Sequence, residues 1–399
     1  ARQRLSFDEL FLIQLATQQA RLRWKDKKLI NRWKIRKSDL LKFTKSLPFE
    51  LTGSQKRVLD EIIADLNKNY PMNRLLQGEV GSGKTVVAAA AIYLAHLNGF
   101  QSLLMAPTEI LAWQHYDTLQ RLLGPFGISI DLYTGSRKIT KSTPGRSRFA
   151  TPSRWPNGLL EGGSPNLIIG THALLSDSIK PEKVGLVIID EQHRFGVEQR
   201  TLLRQKGTAP HFLTMTATPI PRTVALTLYA DLDLSIIDEL PKKRPTIKTY
   251  LVPEEKRLDA YQFIDKKVKE GDCAYVITPL IDESETRLST KAAKVEYEKL
   301  KAIFPDLKLG LLHGQMKAKD KGQVLQDFRE GTVQILVSTS VVEVGVDIPN
   351  ATLMIIEGAE RFGLAQLHQL RGRIGRGTKE SFCLLFCETQ NSSETARLK

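Results

Sequence analysis

One eight-residue stretch has the residue types and the spacing needed to bind a nucleoside triphosphate. Residues 78–85 read Gly-Glu-Val-Gly-Ser-Gly-Lys-Thr and precede the apolar segment Val86 to Leu97. Glycines let the backbone N–H groups face a phosphate at a helix N-terminus, the lysine bridges the β- and γ-phosphates, and the next hydroxyl binds magnesium. The stretch predicts ATP and Mg²⁺ as cofactors and these contacts: Gly78, Gly81, Ser82, Gly83, Lys84 and Thr85.

A second stretch supplies two adjacent carboxylates. The apolar run Leu-Val-Ile-Ile at residues 186–189 ends in Asp190 and Glu191. Such a strand brings its last residues to the edge of a parallel sheet where ligands bind. We therefore expect Asp190 to hold magnesium together with Thr85, and Glu191 to polarise the attacking water. Taken alone, the acidic pair is as typical of a surface turn, but the phosphate loop favours the catalytic interpretation.

The composition indicates a globular protein with a polyanionic partner. The 399 residues are 41% hydrophobic and carry a net charge of +14, and residues 1–50 hold thirteen Lys and Arg against five Asp and Glu. Surplus positive charge attracts nucleic acid first, although a solvated helix face explains the N-terminal run equally well. No apolar run approaches a membrane span of roughly 18 residues, and the three cysteines suit buried thiols in a cytoplasmic protein rather than a disulfide framework.

Small hydroxyl residues and glycines follow several predicted strands, in the places where loops leave a parallel sheet. Their hydroxyls and backbone N–H groups would grip DNA phosphates without reading bases. Each of them is individually also an ordinary turn or helix cap. The predicted DNA contacts are Pro107, Thr108, Thr134, Gly135, Ser136, His313, Gly314, Ser338 and Thr339.

The elements that position these residues form two α/β lobes. Short apolar strands alternate with amphipathic helices, which implies parallel sheets flanked by helices. The predicted strands of the first lobe lie at 75–76, 102–106, 167–170, 186–190 and 212–215, and those of the second at 274–278, 308–312, 334–338, 352–357 and 381–386. The fold class is α/β, with two tandem P-loop domains.

An N-terminal appendage and two irregular segments complete the predicted organisation. Ser6 and Glu9 match a capping box and predict a helix start there. Residues 137–165 predict a long surface loop, and 239–245 predict a linker. The predicted domains are a basic helical appendage at 1–46, a first α/β lobe at 47–238 and a second α/β lobe at 239–399.

An ordered set of motifs resembles the superfamily 2 helicases and, more narrowly, the RecG branched-DNA helicases. The broader resemblance rests on residues 106–109, 134–136, 190–193, 216–218, 344–347 and 369–376. The narrower one rests on 194–199, 219–223 and 361–368, the last reading Arg-Phe-Gly-Leu-Ala-Gln-Leu-His. The transcription-repair coupling factor has a similar motor and is the alternative, but it typically has Asp-Glu-Glu-His where this chain has Gln192.

The resemblance implies that both lobes, 47–238 and 239–399, are RecA-like, and it adds nucleotide contacts. It places Arg373 and Arg376 on the γ-phosphate as catalytic residues, and Gly345 and Asp347 near the ribose. It also implies that Gln55 reads the adenine edge, yet Gln55 lies three residues after Thr52, as a capping-box partner does. Both interpretations of Gln55 stay open at this point.

The resemblance also implies coupling residues and partners. Coupling between ATP and DNA is expected from Gln192, His193, Thr216 and Thr218, although His193 is as easily a core histidine. The implied substrate is branched duplex DNA, with single-stranded DNA-binding protein as a further partner, a monomeric chain and a cytoplasmic, nucleoid-associated location. The family's wedge domain and translocation hairpin have no counterpart in these residues, so a motor fragment is expected. A DNA clamp without enzymatic activity is not favoured, because the full set is present: Lys84, Asp190, Glu191 and Arg376.

Overall fold

The chain folds into two compact units, Ala1–Pro241 and Lys242–Lys399. Both are seen in a computed structural model. The description covers all residues except 1, 27–28, 30–31, 136–137, 140–163, 177–178, 180, 192–198, 200–201, 204, 219–231, 241–245, 280–285, 340–347, 349, 376, 378 and 388–399. No helix of the described part is long and apolar enough to cross a membrane.

The first unit contains one large sheet with helices against it. Its strands are β1 (Asn73–Gly78), β2 (Gln101–Met105), β3 (Ile130–Tyr133), β4 (Lys138–Ile139), β5 (Leu167–Gly170), β6 (Val184–Ile189), β7 (His211–Thr216) and β8 (Asp233–Ile237). Its helices are α1 (Arg2–Lys25), α2 (Leu41–Ser46), α3 (Gly53–Leu66), α4 (Lys84–Leu97) and α5 (Glu109–Leu123).

The first sheet brings the carboxyl ends of its strands to one edge. The strand order is β4-β3-β5-β2-β6-β7-β1-β8, and every pairing is parallel except that of the short β4 with β3. Helix α4 is buried from Val86 to Ala95, and four of its residues in succession are alanines. Small side chains let this helix lie close to the sheet, so its first turn is held at the same edge.

The N-terminal appendage packs on the first unit through its aromatic residues. Trp24 near the end of α1 is 7% exposed, and its indole N–H donates to the carbonyl of Pro71 at 2.7 Å. Trp33 stacks on Phe100, while Phe43 of α2 stacks on Tyr93 of α4. The earlier part of α1 differs, because large apolar side chains are exposed there: Phe7, Leu10, Phe11, Leu12, Ile13, Leu15 and Leu22.

The second unit repeats the architecture with a smaller sheet. Its strands are β9 (Ile247–Val252), β10 (Cys273–Thr278), β11 (Leu309–Leu312), β12 (Ile335–Thr339), β13 (Ala351–Ile356) and β14 (Ser381–Phe386), and its helices are α6 (Arg257–Lys269), α7 (Thr286–Ile303), α8 (Ala318–Arg329) and α9 (Leu364–Arg371). All strands pair in parallel, in the order β11-β12-β10-β13-β14-β9. A core that includes Ile264, Val276, Leu300 and Leu353 lies between the sheet and its helices.

The predicted fold class and the ten predicted strands are confirmed. Four strands were not predicted as such: β3, β4, β8 and β9. The predicted helix start at Ser6 is wrong, because α1 already begins at Arg2. Of the predicted loop at 137–165, residues 138–139 form β4, and residues 137 and 140–163 lie outside the described part.

Candidate nucleotide site and DNA-contacting loops

The predicted phosphate loop connects β1 to the first turn of α4. Gly81 and Gly83 have φ values of 85° and 89°, which side chains with a Cβ rarely adopt. A Cβ on Gly78 would lie 2.5 Å from the hydroxyl of Ser82, so the backbone is closely folded on itself. The ammonium group of Lys84 donates to the carbonyls of Gly78 and Glu79, at 2.6 and 3.0 Å. The side chain of Lys84 therefore already lies inside the loop.

Gln55 joins the start of α3 to the phosphate loop. Its Oε1 accepts from the backbone N–H of Thr52 at 2.9 Å, and the hydroxyl of Thr52 accepts from the N–H of Gln55 at 3.2 Å. The capping-box interpretation is thus confirmed. Its Nε2 also donates to the carbonyl of Ser82 at 2.7 Å, a contact that the sequence did not predict. Adenine recognition by Gln55 stays a prediction.

Asp190 lies directly after β6, and its carboxylate is held from two sides. Its Oδ1 accepts from the N–H of Glu191 at 3.0 Å, and its Oδ2 lies 2.8 Å from Nε2 of His115 on α5. Burial raises the pKa of Asp190, but the hydrogen bond with His115 and the charges of His115 and Lys84 outweigh it and leave the pKa below its usual value. Asp190 is therefore ionised, and a carboxylate oxygen is a ligand that suits Mg²⁺.

Glu191 has a backbone conformation that is rare for a residue with a side chain. Its φ is 51°, in the left-handed region, and such strain is concentrated at functional sites. Its Oε2 is 3.5 Å from the N–H of Ala217, which follows β7. The neighbouring Thr218 donates its N–H to the hydroxyl of Thr216 at 3.2 Å. The structure thus brings the predicted coupling residues Thr216 and Thr218 next to the predicted catalytic carboxylate.

His115 was missed by the sequence-based prediction of the site. It is separated from Asp190 by 75 residues, so no local spacing connects the two. The signal that the sequence does contain is helical: Leu111, His115 and Leu119 recur every four residues and share one buried face of α5. A polar side chain on such a face needs a partner, because burying it alone is costly.

Two of the predicted DNA-contacting loops meet beside the start of α5. Pro107 and Thr108 follow β2, and the Thr108 hydroxyl caps α5 by accepting from the N–H of Leu111 at 3.4 Å. Thr134 and Gly135 follow β3; Thr134 is buried, whereas Gly135 is exposed. A Cβ on Gly135 would lie 3.0 Å from the carboxylate of Glu109. Both loops are therefore at the edge of the sheet that also holds the phosphate loop.

The predicted DNA contacts of the second unit are less accessible. Ser338 and Thr339 were expected in a loop, but they are the last two residues of β12 and are 0% and 2% exposed. That expectation is wrong, because the parallel pairing with β10 extends to Thr339. His313 follows β11 and is 9% exposed, while Gly314 is exposed and its carbonyl accepts from Lys321 at 2.7 Å. Burial, helped by Lys294 and Lys321, lowers the pKa of His313.

Arg373 is the predicted catalytic arginine that the structure describes. It lies two residues after α9, and it is 5% exposed. Other predicted site residues lie outside the described part of the chain: Ser136, Gln192, His193, Gly345, Asp347 and Arg376. Their roles stay predictions.

Comparison with known proteins identifies the two units. The family model of DEAD/DEAH box helicases matches residues 52–227, and that of the helicase conserved C-terminal domain matches residues 255–378. The chain is 48% identical over its whole length to the ATP-dependent DNA helicase RecG of Synechocystis sp., and 46% identical to that of Bacillus subtilis. Over its whole length the chain is therefore similar to RecG helicases. These relatives do not favour the alternative, the transcription-repair coupling factor.

Solved structures are similar to the chain as well. A RecG structure bound to a three-way DNA junction matches all of this chain, with a TM-score of 0.81 and 42% identity, and 51% of that RecG chain is covered. Yeast Dbp5 bound to RNA and ADP BeF3 matches 90% of the chain at 20% identity, with a TM-score of 0.65, which shows the shared fold. The chain spans 47% of the Synechocystis RecG and 57% of the Bacillus subtilis RecG.

Proposed function

We propose that the chain is the motor part of an ATP-dependent helicase or translocase that moves on branched duplex DNA. The observation that carries the proposal is the meeting of Lys84, Asp190 and Glu191 at one edge of the first sheet. Phosphoryl transfer to water needs these groups: a cation for the phosphates, an oxygen ligand for magnesium and a carboxylate that orients water. The relatives named RecG support the same conclusion.

The phosphate loop fits a triphosphate in both shape and charge. Its two left-handed glycines turn the backbone ahead of α4, whose N-terminus favours an anion. On binding, the phosphate oxygens would replace the carbonyls of Gly78 and Glu79 as partners of the Lys84 ammonium group. We also propose that Gln55 exchanges its present partners for the adenine edge. Losing its bond to the carbonyl of Ser82 would then signal to the phosphate loop that the base is bound.

Magnesium fits this site as a companion of ATP. Among the described residues no group of three or more His, Cys, Asp and Glu side chains could hold a metal ion. Mg²⁺ characteristically takes one or two protein oxygens and completes its shell with phosphates and water. Thr85 and the ionised Asp190 are the residues that would hold it, and the ion would neutralise charge on the β- and γ-phosphates. Glu191 would accept a hydrogen bond from the attacking water and so orient it.

The second unit would supply the remaining catalytic and nucleotide-binding residues. We propose that Arg373 and Arg376 supply positive charge to the γ-phosphate in the transition state, and that Gly345 and Asp347 contact the ribose.

Coupling between the nucleotide and DNA would come from four residues of the first unit: Gln192, His193, Thr216 and Thr218. DNA phosphates would be held by the loops that carry Pro107, Thr108, Thr134, Gly135, Ser136, His313 and Gly314. Ser338 and Thr339 would contribute to DNA binding from the end of β12.

The experiment that tests this function measures ATP hydrolysis with and without a three-way DNA junction. We expect the junction to raise the rate of the wild-type chain, and Lys84→Ala and Glu191→Gln to abolish hydrolysis. Glu191→Gln should still bind ATP, since it removes the water-orienting carboxylate and leaves the phosphate loop intact. Arg329→Ala, an exposed change at the end of α8, is the matched control and should behave as wild type. Hydrolysis that survives Lys84→Ala, or that ignores DNA, would contradict the proposal.

Three further expectations rest on the family resemblance. We propose that the chain acts as a monomer in the bacterial cytoplasm, near the nucleoid, and that single-stranded DNA-binding protein is a partner of the whole protein. The net charge of +14 supports an association with DNA, because counterion release favours the binding of such a surface to phosphates. Sedimentation of the chain with and without the junction tests the monomeric state.

A further inference from the structure

His115 occupies an unusual position for a buried polar residue. It is 6% exposed, and its Nε2 lies 2.8 Å from Oδ2 of Asp190, which is 8% exposed. The contact ties the middle of α5 to the carboxylate that follows β6. Neither the phosphate loop nor the predicted catalytic set includes this residue.

Helix α5 begins in one of the predicted DNA-contacting loops. Thr108 caps the helix, and Glu109 in its first turn approaches Gly135 of the neighbouring DNA-contacting loop. His115 follows seven residues after Thr108, which places it about 10 Å along the helix at 1.5 Å per residue. A short helix moves as a rigid body, so a shift at its capped end also displaces the imidazole.

Within the described part of the chain, two hydrogen bonds hold the carboxylate of Asp190. One carboxylate oxygen accepts from the N–H of Glu191, and the other is held by His115. The first support comes from the strained residue that is itself proposed to orient water. The second comes from α5. Moving α5 would therefore rotate Asp190 and also disturb the peptide that carries Glu191.

We propose that His115 is a positioning residue that couples DNA bound at the start of α5 to the nucleotide site through Asp190. The inference rests on the proposed function. DNA that holds Pro107 and Thr108 in place also holds His115, and thereby sets the carboxylate in the orientation that the ATP-bound state requires. The coupling runs equally in the opposite direction, because a change in affinity transmitted between two sites is reciprocal.

The test measures how strongly nucleotide and DNA affect each other's binding. The affinity of the chain for a fluorescent three-way junction is measured alone and with Mg²⁺ and a non-hydrolysable ATP analogue, and the ratio of the two affinities is the coupling factor. Allosteric coupling factors are typically about 5- to 150-fold, and we expect the wild-type factor within that range. Nucleotide affinity without DNA is measured in parallel, which needs no catalytic turnover.

Two substitutions separate positioning from packing. In His115→Gln the amide nitrogen can reach the position of Nε2, whereas in His115→Asn the shorter side chain reaches only the position of Nδ1. We expect His115→Gln to keep most of the coupling and His115→Asn to bring the factor to within about 2-fold of one. Both should bind nucleotide without DNA to within about 3-fold of wild type. His96→Gln, at the far end of α4, is the matched control and should leave the coupling unchanged.

The outcomes are distinct. Wild-type coupling in His115→Asn, or a wild-type factor of one, overturns the inference even where DNA still stimulates hydrolysis. A wild-type chain whose hydrolysis ignores DNA overturns the proposed function and this inference together. Thermal unfolding checks that each variant is folded, and His115→Met, which fills the site without a donor, replaces His115→Asn if that variant does not fold. Loss of coupling in His115→Met with retention in His115→Gln supports the proposal.

Discussion

Gly83 shows how closely a single residue is fitted at the nucleotide site. Its φ is 89°, and a Cβ there would lie 2.2 Å from Nε2 of Gln55, which is already bonded to Ser82. Gly83→Ala therefore adds backbone strain of about 1–2 kcal/mol and also displaces Gln55. We expect the variant to fold and to bind ATP at least about 10-fold more weakly, which corresponds to about 1.4 kcal/mol. A fluorescent ATP analogue measures the affinity.

Gly99 provides the matched control for this prediction. Its φ is 74°, and nothing lies within 4 Å of the position that a Cβ would take. Gly99→Ala should therefore show the strain alone, as a lower thermal midpoint with unchanged nucleotide affinity. Equal loss of affinity in both variants would mean that strain, and not the contact with Gln55, explains the effect.

His211 makes the stability of the first unit depend on pH. Its side chain is fully buried, Nδ1 accepts from the N–H of Met72 at 2.9 Å, and its ring lies 4.6 Å from that of Trp33. Burial lowers the pKa of His211 to about 4, against the opposing effect of Asp65. The unfolded chain binds the proton more tightly, so the stabilising contribution is complete above about pH 6.5 and is lost as the pH falls toward 4.

The corresponding prediction compares wild type with His211→Asn. An asparagine oxygen can still accept from Met72, but the side chain does not titrate. Between pH 7.5 and pH 5 the wild type should lose about 2 kcal/mol more of its free energy of unfolding than the variant loses. Urea unfolding at the two pH values measures this difference. Identical losses would show that His211 is protonated at no cost in the folded state.

At the scale of elements, Arg74 joins α3, β1 and β8. Its guanidinium group contacts Asp65 at 2.7 Å, Glu61 at 2.9 Å and the hydroxyl of Ser235 at 2.6 Å. Asp65 is 2% exposed, so removing Arg74 leaves a buried carboxylate with Lys68 as its remaining ion-pair partner. We expect Arg74→Met to lower the free energy of unfolding by about 2–4 kcal/mol, as measured by urea unfolding.

The control for Arg74 is an exposed ion pair that reaches the same helix. Lys37 lies 2.8 Å from Asp60 of α3, and both side chains are more than half exposed. Lys37→Met should change the free energy of unfolding by less than about 1 kcal/mol, since solvent screens such pairs. A similar effect of both substitutions would contradict the importance given to burial.

The elements that the sequence predicted are those with strong apolar signals. Central strands such as β6 and β10 are buried throughout and appear as continuous apolar runs. In contrast, β8 and β9 are edge strands, only partly buried, and their polar residues conceal the strand pattern. β3 is buried but only four residues long. The apolar run in the sequence therefore decided which strands were recognisable, since β11 is also an edge strand but reads Leu-Gly-Leu-Leu and was predicted.

The candidate site divides in a similar way. The phosphate loop and the acidic pair were predictable because each combines local spacing with a strand before it. The Asp190–His115 contact and the bond between Gln55 and Ser82 were not, since they join residues 75 and 27 positions apart. Such contacts depend on how strands order themselves in the sheet, and a motif does not specify that order.

At the scale of the whole molecule, the proposed catalysis needs residues from both units. The first unit carries Lys84, Asp190 and Glu191, and the second carries the predicted arginines. A γ-phosphate in transfer spreads charge over its oxygens, and an added arginine typically accelerates the step by about 10³- to 10⁵-fold. We expect Arg376→Ala to bind ATP within about 3-fold of wild type and to hydrolyse it about 10³-fold more slowly or worse.

Separate measurements of binding and hydrolysis decide this prediction. The ATP-binding groups of the first unit are unchanged in Arg376→Ala, so nucleotide affinity reports the phosphate loop while the rate reports the arginine. Arg329→Ala removes an exposed arginine of the same unit and should alter neither quantity. Hydrolysis near the wild-type rate in Arg376→Ala would exclude a catalytic role for this residue. A loss of affinity as large as the loss of rate would instead make Arg376 a ground-state ligand, because uniform binding energy does not accelerate the chemical step.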